Sequence, residues 1–320
     1  VANRPAAEVR ITPDLVRGLL QEQHPDLAGL PLEAAAEGWD NVIFRLGNYL
    51  AVRLPRREAA AQLIRNEQVW LPRLLSDAGP KVQWHESPLR LASAPVRAGV
   101  PASSYPWHWS ISPWADGVVA TSTSVAGRAP AAEGLADFVV AFQRPAPEDA
   151  PYNPVRGGAL SGRGGAVQQR LAALALPTTE LMALWAKLSD LPAWDGPALW
   201  LHGDLHAANL LLGSGGELRA VLDFGDLTSG DPATDLAAAW LIFETQGRRA
   251  FQNRINAQRA TSDATWQRAR GWALCIGAAL AANSDDDPTF RSMGHQVLDS
   301  VLVDQGTRVD GVTLDHKGAR

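Results

Sequence analysis

Hydrophobic positions change period along the chain. Leu30–Ala36 and Val42–Leu46 read as strands flanking the polar Glu37-Gly38-Trp39-Asp40-Asn41, a hairpin connection. Gly47-Asn48 is a second tight turn, of the kind that permits positive φ. Tyr49–Leu54 then alternates, with Leu50, Val52 and Leu54 on one face and Arg53 on the other, and Pro55 closes the strand. From Glu58 to Leu75 the period becomes helical. Leu63, Ile64, Leu71, Leu74 and Leu75 form one stripe, and Pro72 inside it predicts a kink or a break. A further strand ends at Ile111-Ser112-Pro113-Trp114. Beyond Gly117 and the Thr/Ser-rich 121–124, helices dominate at Ala131–Phe142, Gln168–Leu174 and Glu180–Leu188, with the Pro- and Gly-rich Ala146–Gly165 as a surface loop. The pattern predicts an α+β protein with a small β-rich lobe, residues 1–112, and a larger, mostly helical lobe, residues 113–320.

Composition narrows the class. Of the 320 residues 46% are hydrophobic and 20% charged, the balance of a folded globular chain. Lys and Arg number 29 against 34 acids, a net charge of −5, which argues against a phosphate-driven nucleic-acid binder. No apolar run approaches the roughly 20 residues of a membrane helix, and the opening Val1-Ala2-Asn3-Arg4-Pro5 lacks the apolar segment of a signal peptide. A cytoplasmic location, with neither nucleic-acid nor membrane partner, is the expectation. The single Cys275 excludes an internal disulfide framework or a multi-cysteine metal site.

One polar residue breaks the helical stripe. Glu67 lies three and four residues from Ile64 and Leu63, and again from Trp70 and Leu71. A carboxylate on an apolar face requires a cation, because burial alone is prohibitive. Arg53, opposite Leu50, Val52 and Leu54 on its strand, is the candidate.

The chemistry concentrates between residues 202 and 226. His202-Gly203-Asp204-Leu205-His206-Ala207-Ala208-Asn209 is followed by Leu210–Leu212, the turn Gly213-Ser214-Gly215-Gly216, Leu218–Leu222 and Asp223-Phe224-Gly225-Asp226. The two apolar runs form a hairpin across the glycine-rich turn, so Asn209 and Asp223 lie at the same end of it. Asp204 can fold over that end. Two carboxylates and an amide oxygen at one point suit Mg²⁺, with phosphate oxygens completing the shell.

His-Gly-Asp-x-x-x-x-Asn followed by Asp-Phe-Gly resembles the catalytic and metal loops of the aminoglycoside phosphotransferase and choline kinase-like branch of the protein-kinase-like fold. The resemblance extends in order along most of the chain, through Gly38-Trp39-Asp40-Asn41, Asn66-Glu67-x-x-Trp70-Leu71-Pro72, Asn153-Pro154-x-Arg156-Gly157 and Gly230-Asp231-Pro232-Ala233-x-Asp235. It implies that Asp204 takes or orients the proton of an acceptor hydroxyl attacking the γ-phosphate of ATP or GTP. Asn209 and Asp223 would hold Mg²⁺. Arg53 stands where such kinases usually have a lysine for the α- and β-phosphates, a departure that keeps the charge but changes its reach; Glu67 would pin it. Gly38, Trp39 and Asn41 would form the loop over the phosphates, although the spacing lacks G-x-G-x-x-G. Ser112 and Trp114, at the lobe connection, would border the nucleotide base.

The expected acceptor is a small molecule, either an antibiotic such as an aminoglycoside or a macrolide, or a sugar or amino-alcohol metabolite. Residues 231–320 carry 11 acids against 10 Lys plus Arg, too even to select a polycation. Arg53 and the glycine-poor loop also fit a nucleotide-binding pseudokinase. A zinc hydrolase built on His202 and His206 is a third reading, weakened because Gly203-Asp204-Leu205 is a poor helix. Asp231 before Pro232 reads as a helix cap, and Asp235 as serving that helix or tying to the catalytic loop. Asp285-Asp286-Asp287 reads as a solvated run that would suit a cationic acceptor if it lined the cleft. Trp240, Trp266 and Trp272 read as core.

Overall fold

The structure, a computed structural model, describes residues 6–76, 94–284 and 286–303. It opens with helix α1 (Pro13–Gln23), where Thr12 Oγ1 accepts a hydrogen bond from the Leu15 N–H at 3.2 Å. Pro13 follows at the first helical position, where its missing N–H costs nothing. Five strands come next: β1 (Leu32–Glu37), β2 (Asn41–Leu46), β3 (Leu50–Pro55), β4 (Arg97–Gly99) and β5 (Trp109–Pro113), in the antiparallel order β1-β2-β3-β5-β4. Gly47 adopts φ +58° as its turn requires. Leu46 pairs with Leu50, so the turn takes three residues where the sequence suggested two. Helix α1 buries Val16, Leu19 and Leu20 against Phe44, Leu46, Val52, Leu54, Tyr105, Trp109 and Ile111, the core of the first lobe.

Strand β3 is buried on both faces, since Ala51 and Arg53 are covered as well as Val52 and Leu54. The covering element is helix α2 (Glu58–Ser76), which runs unbroken through Pro72, so of the kink or break expected there the break does not occur. Pro72 lies on the exposed side, where water can satisfy the carbonyl that it leaves without a helical donor. The last turns of α2 belong to the other lobe. Leu71 and Leu74 join its core, and the Trp70 ring packs on Trp200 at 5.2 Å.

That second lobe contains β6 (Val118–Val119), α3 (Ala132–Phe142), α4 (Gly164–Ala173), α5 (Thr179–Ser189), β7 (Leu199–Leu201), β8 (Leu210–Leu212), β9 (Leu218–Val221) and β10 (Thr228–Gly230), then α6 (Ala233–Leu236), α7 (Ala238–Ile242), α8 (Thr245–Gln258), α9 (Asp263–Asn283) and α10 (Pro288–Val303). Helix α9 runs through the middle, packed by α4, α5, α6 and α10. Trp240, Trp266 and Trp272 are core residues, as their spacing implied. Helix α4 starts at Gly164, earlier than the expected Gln168, after a 3₁₀ turn at Leu160–Arg163. The Pro/Gly-rich connection therefore ends before Leu160. No helix among the described residues is long and apolar enough to cross a membrane.

Tyr105 ties the first lobe to the end of β3, its buried hydroxyl donating to the Pro55 carbonyl at 2.7 Å. Tyr105→Phe leaves that carbonyl without its partner, and urea unfolding should show a loss of about 1–2 kcal/mol.

Candidate active site

The hairpin β8–β9 pairs Leu210 with Val221 and Leu211 with Ala220. Gly216, at φ +82°, closes its turn. Pairing continues past the strands, because the Leu222 N–H donates to the Asn209 carbonyl at 2.8 Å. Asn209 and Asp223 thus leave the same end of the hairpin. Beside it, β7 pairs with β10 through Leu201 and Thr228, which sets residues 202–209 against residues 223–227. Gly203 sits where these loops touch. Its φ is +83°, and a Cβ there would lie 2.5 Å from the Asp226 carbonyl oxygen, so the position requires glycine.

A buried carboxylate supports the loop from below. Asp235 accepts the His202 N–H at 2.8 Å and the Gly203 N–H at 2.9 Å. Burial raises its pKa, while His202 and the two amide bonds pull against that rise. Of the two roles open to Asp235 in the sequence, this is the tie to the loop. Asp231 accepts the Ala233 N–H at 2.9 Å and pairs with Arg268 at 2.7 Å, a capping carboxylate with a buried cation partner. His202 Nε2 meets the Leu222 carbonyl at 2.9 Å, and its Nδ1 accepts the Asp204 N–H at 3.2 Å. With both ring nitrogens engaged, His202 braces the loop and has no lone pair to offer zinc.

Asp204 lies above this base, its side chain 23% exposed. Oδ1 accepts from Arg156 Nη2 at 2.6 Å, and Oδ2 accepts from His206 Nε2 at 3.2 Å. Burial works to raise this carboxyl, but His206 and Arg156 outweigh it and hold the pKa well below the usual range. Asn209 Nδ2 donates to the Asp204 carbonyl at 2.9 Å, which fixes the amide and leaves its oxygen to face elsewhere.

Asp223 is the one non-glycine residue with positive φ among the described residues, at +57°. Its side chain is about half exposed. An amide oxygen and an exposed carboxylate at one hairpin end are hard donors of the type Mg²⁺ takes, and two protein ligands leave positions for phosphate and water. The residues fit the metal. Among the described residues no cluster of three or more His, Cys, Asp or Glu side chains offers an all-protein alternative site.

Glu67 joins this end of the hairpin to the first lobe. The carboxylate is fully buried and accepts from Arg53 Nη1 at 2.7 Å and from the Phe224 N–H at 2.9 Å. Arg53 Nη2 reaches Asp223 Oδ1 at 3.5 Å. Burial pushes the Glu67 carboxyl up to about 7 against the pull of Arg53. For Arg53, burial acts against the charge, and Glu67 with Asp223 more than restores it.

Most of the sequence-derived candidates line one cavity of about 430 Å³: Gly38, Trp39, Asn41, Arg53, Ser112, Trp114, Asn209 and Asp223, with Asp204 outside the lining. Its apolar wall includes Ile43, Ala51, Val119, Leu211 and Leu222. The Gly38–Asp40 turn is held by Arg56, which donates to the Gly38 and Trp39 carbonyls, and by Arg57, which pairs with Asp40 at 2.6 Å. Asn41 Oδ1 is buried without a partner. Glu67 lies behind Arg53, outside the lining. The Trp114 backbone N–H donates to the Tyr49 carbonyl at 2.7 Å. At the other side of the catalytic loop, Asp287 caps α10 by accepting the Thr289 and Phe290 N–H groups, and the Phe290 ring meets His206 edge-on at 5.8 Å. Asp285 lies outside the described residues.

Sequence reasoning considered His206 only as a zinc ligand or a loop brace and gave Arg156 no role, whereas both contact the Asp204 carboxylate. The signal for Arg156 was its place in Asn153-Pro154-x-Arg156-Gly157, a motif without assigned chemistry.

A profile of the phosphotransferase enzyme family (APH) matches residues 31–272. The chain belongs to that family. No curated protein sequence matches this phosphotransferase at a significant level. Among solved structures it resembles the GDP and kanamycin complex of APH(2″)-IIIa, at 15% identity and a TM-score of 0.64 over 91% of this chain and 99% of that one. It also resembles aminoglycoside phosphotransferase APH(4)-Ia, at 16% identity and a TM-score of 0.57, covering 92% and 100% of the two chains. Macrolide 2′-phosphotransferase type I matches at 16% identity and a TM-score of 0.53, covering 90% and 98%. The phosphotransferase therefore has the two-lobed, protein-kinase-like α+β fold.

Asp235→Asn in the phosphotransferase keeps the shape but replaces one acceptor with an NH₂ facing a backbone N–H. Denaturant unfolding should show a loss of about 1–3 kcal/mol.

Proposed function

We propose that the chain transfers the γ-phosphoryl group of ATP or GTP to a hydroxyl of a small-molecule acceptor of the antibiotic type, an aminoglycoside or a macrolide. The observation that carries this reading is the convergence of Arg53, Asn209 and Asp223 where two lobes meet, around a cavity large enough for a nucleotide, with Asp204 bonded to Asn209 just outside its lining. In this reading residues 1–112 form the nucleotide lobe and residues 113–320 the catalytic and acceptor lobe, and the protein works in the cytoplasm without a nucleic-acid or membrane partner.

Each residue has a distinct task. Arg53, kept charged by Glu67, contacts the α- and β-phosphates. Gly38, Trp39 and Asn41 close over the phosphates, and Ser112 with Trp114 borders the base. Asn209 and Asp223 would hold Mg²⁺, which would supply positive charge against the charge that develops during transfer. Asp204 accepts a hydrogen bond from the acceptor hydroxyl and aligns it with the phosphorus. Its depressed pKa makes it a weak base, which suits a loose transition state in which the nucleophile's proton leaves late. Neighbouring structures of the fold carry GDP, ATP or ADP with aminoglycosides or alone, and these support the choice of co-substrate and acceptor class.

The test is a turnover screen with Mg²⁺-ATP and Mg²⁺-GTP against aminoglycosides, macrolides, sugars and amino alcohols, with mass spectrometry of the products. The wild type should yield one acceptor class carrying a single added phosphoryl group, with Asp204→Asn slower by about 10²-fold or more. Product from sugars or amino alcohols alone would redirect the acceptor assignment to metabolism. Nucleotide binding with no product from any acceptor would favour the pseudokinase reading.

A further inference from the structure

The Asp204 carboxylate is held at both oxygens, and its shortest contact comes from outside its own loop. Arg156, 48 residues earlier in the chain, donates to Oδ1 at 2.6 Å. On the other oxygen, His206 Nε2 lies at 3.2 Å and Asn209 Nδ2 at 3.4 Å. Each carboxylate oxygen offers about two lone-pair sites. Oδ1 therefore keeps one for an incoming hydroxyl, while rotation about the Cβ–Cγ bond is blocked from both sides. A structural arginine walled against an acid ordinarily takes both oxygens in a parallel fork. Here the fork is not used. Arg156 Nε instead lies 4.0 Å from Asp226 Oδ2, so the guanidinium spans the acid of the catalytic loop and the acid that follows Asp-Phe-Gly.

The segment carrying Arg156 is anchored at the backbone. Thr234 Oγ1 donates to the Arg156 carbonyl at 3.0 Å. Two residues back from Val155, the Asn153 N–H donates to Thr228 Oγ1 at 2.8 Å, and Asn153 Nδ2 donates to Asp226 Oδ1 at 2.7 Å. One residue on, Gly157 lies so close to β10 that a Cβ would meet the Ser229 carbonyl oxygen at 2.5 Å. Thr228, Ser229 and Thr234 belong to β10 and α6, the same elements that set Gly203 and Asp235 under the catalytic loop. Arg156 and Asp204 are therefore fixed to a common frame, and the side chain is only 20% exposed.

We propose that Arg156 is a positioning residue for phosphoryl transfer, holding the Asp204 carboxylate in the one orientation that aligns an acceptor hydroxyl with the phosphorus. The inference rests on the phosphotransferase reading of Asp204. The side-chain partners of Arg156 are Asp204 and Asp226, and Arg53, the residue assigned to the phosphates, is paired instead with Glu67, so the effect of Arg156 falls on the chemical step. Misalignment of a reacting group by about an ångström costs on the order of 10²-fold in rate.

Arg156→Ala and Arg156→Lys in the full chain test it, with kcat, the nucleotide KM, calorimetric Mg²⁺-nucleotide affinity and melting temperature read for each. The expected result for Arg156→Ala is a kcat lower by about 10²-fold, with nucleotide KM and affinity within about threefold of wild type. Arg156→Lys should regain part of the rate, and millimolar methylguanidinium should restore part of it to Arg156→Ala but none to Asp204→Asn. An Arg156→Ala enzyme as fast as wild type overturns the inference and leaves the phosphotransferase reading intact. So does a rate loss that tracks melting temperature and responds to neither lysine nor methylguanidinium. A wild type inert toward every acceptor overturns both.

Discussion

The fully buried Glu67 carboxylate is the joint on which the cleft depends. One oxygen takes the Arg53 guanidinium from the middle of the small sheet, and the other takes the Phe224 N–H from the loop after β9. A buried carboxylate is costly unless both its charge and its lone pairs are met, and here the two partners come from different lobes. Satisfying Glu67 therefore fixes the distance between Arg53 and Asp223. Helix α2 carries the constraint. Its first half covers β3, while Leu71 and Leu74 near its end are part of the second core.

A second buried carboxylate does for the catalytic loop what Glu67 does for the cleft. Asp235 holds the His202 and Gly203 amides from α6. His202 passes the support upward to Leu222 and Asp204. The hairpin end with Asn209 and Asp223 thus stands between two carboxylate anchors, one reaching from each lobe. The side chains of Asp204 and Asp223 remain partly exposed, whereas Arg53, Glu67 and Asp235 are buried, each with charged or hydrogen-bonding partners supplied.

Much of this was legible before any coordinates. The hairpin follows from two leucine-rich runs around Gly213–Gly216, and with it the shared end of Asn209 and Asp223. The Arg53–Glu67 pair follows from an acid on an apolar helical stripe. Where the reading failed, a long-range effect decided. Pro72 predicted a kink or a break, and the break did not occur because Pro72 faces water. Helix α4 began early, at Gly164, and its buried Val167 and Leu171 belong to the core that α9 runs through. For Arg156 the sequence offered a motif but no chemistry. Only the pairing of β7 with β10, and the wedging of Gly157 against that strand, bring it to Asp204.

The central claim is that Glu67 holds the nucleotide half of the site together across the lobes. Calorimetric titration of Mg²⁺-nucleotide into wild type and Glu67→Gln tests it most directly. The glutamine amide fills the same space but turns an NH₂ toward Arg53 or toward the Phe224 N–H, so one buried donor loses its acceptor. The account predicts Mg²⁺-dependent binding by the wild type, weakened at least about tenfold in Glu67→Gln while the variant remains folded. Equal affinities in the two proteins would contradict it.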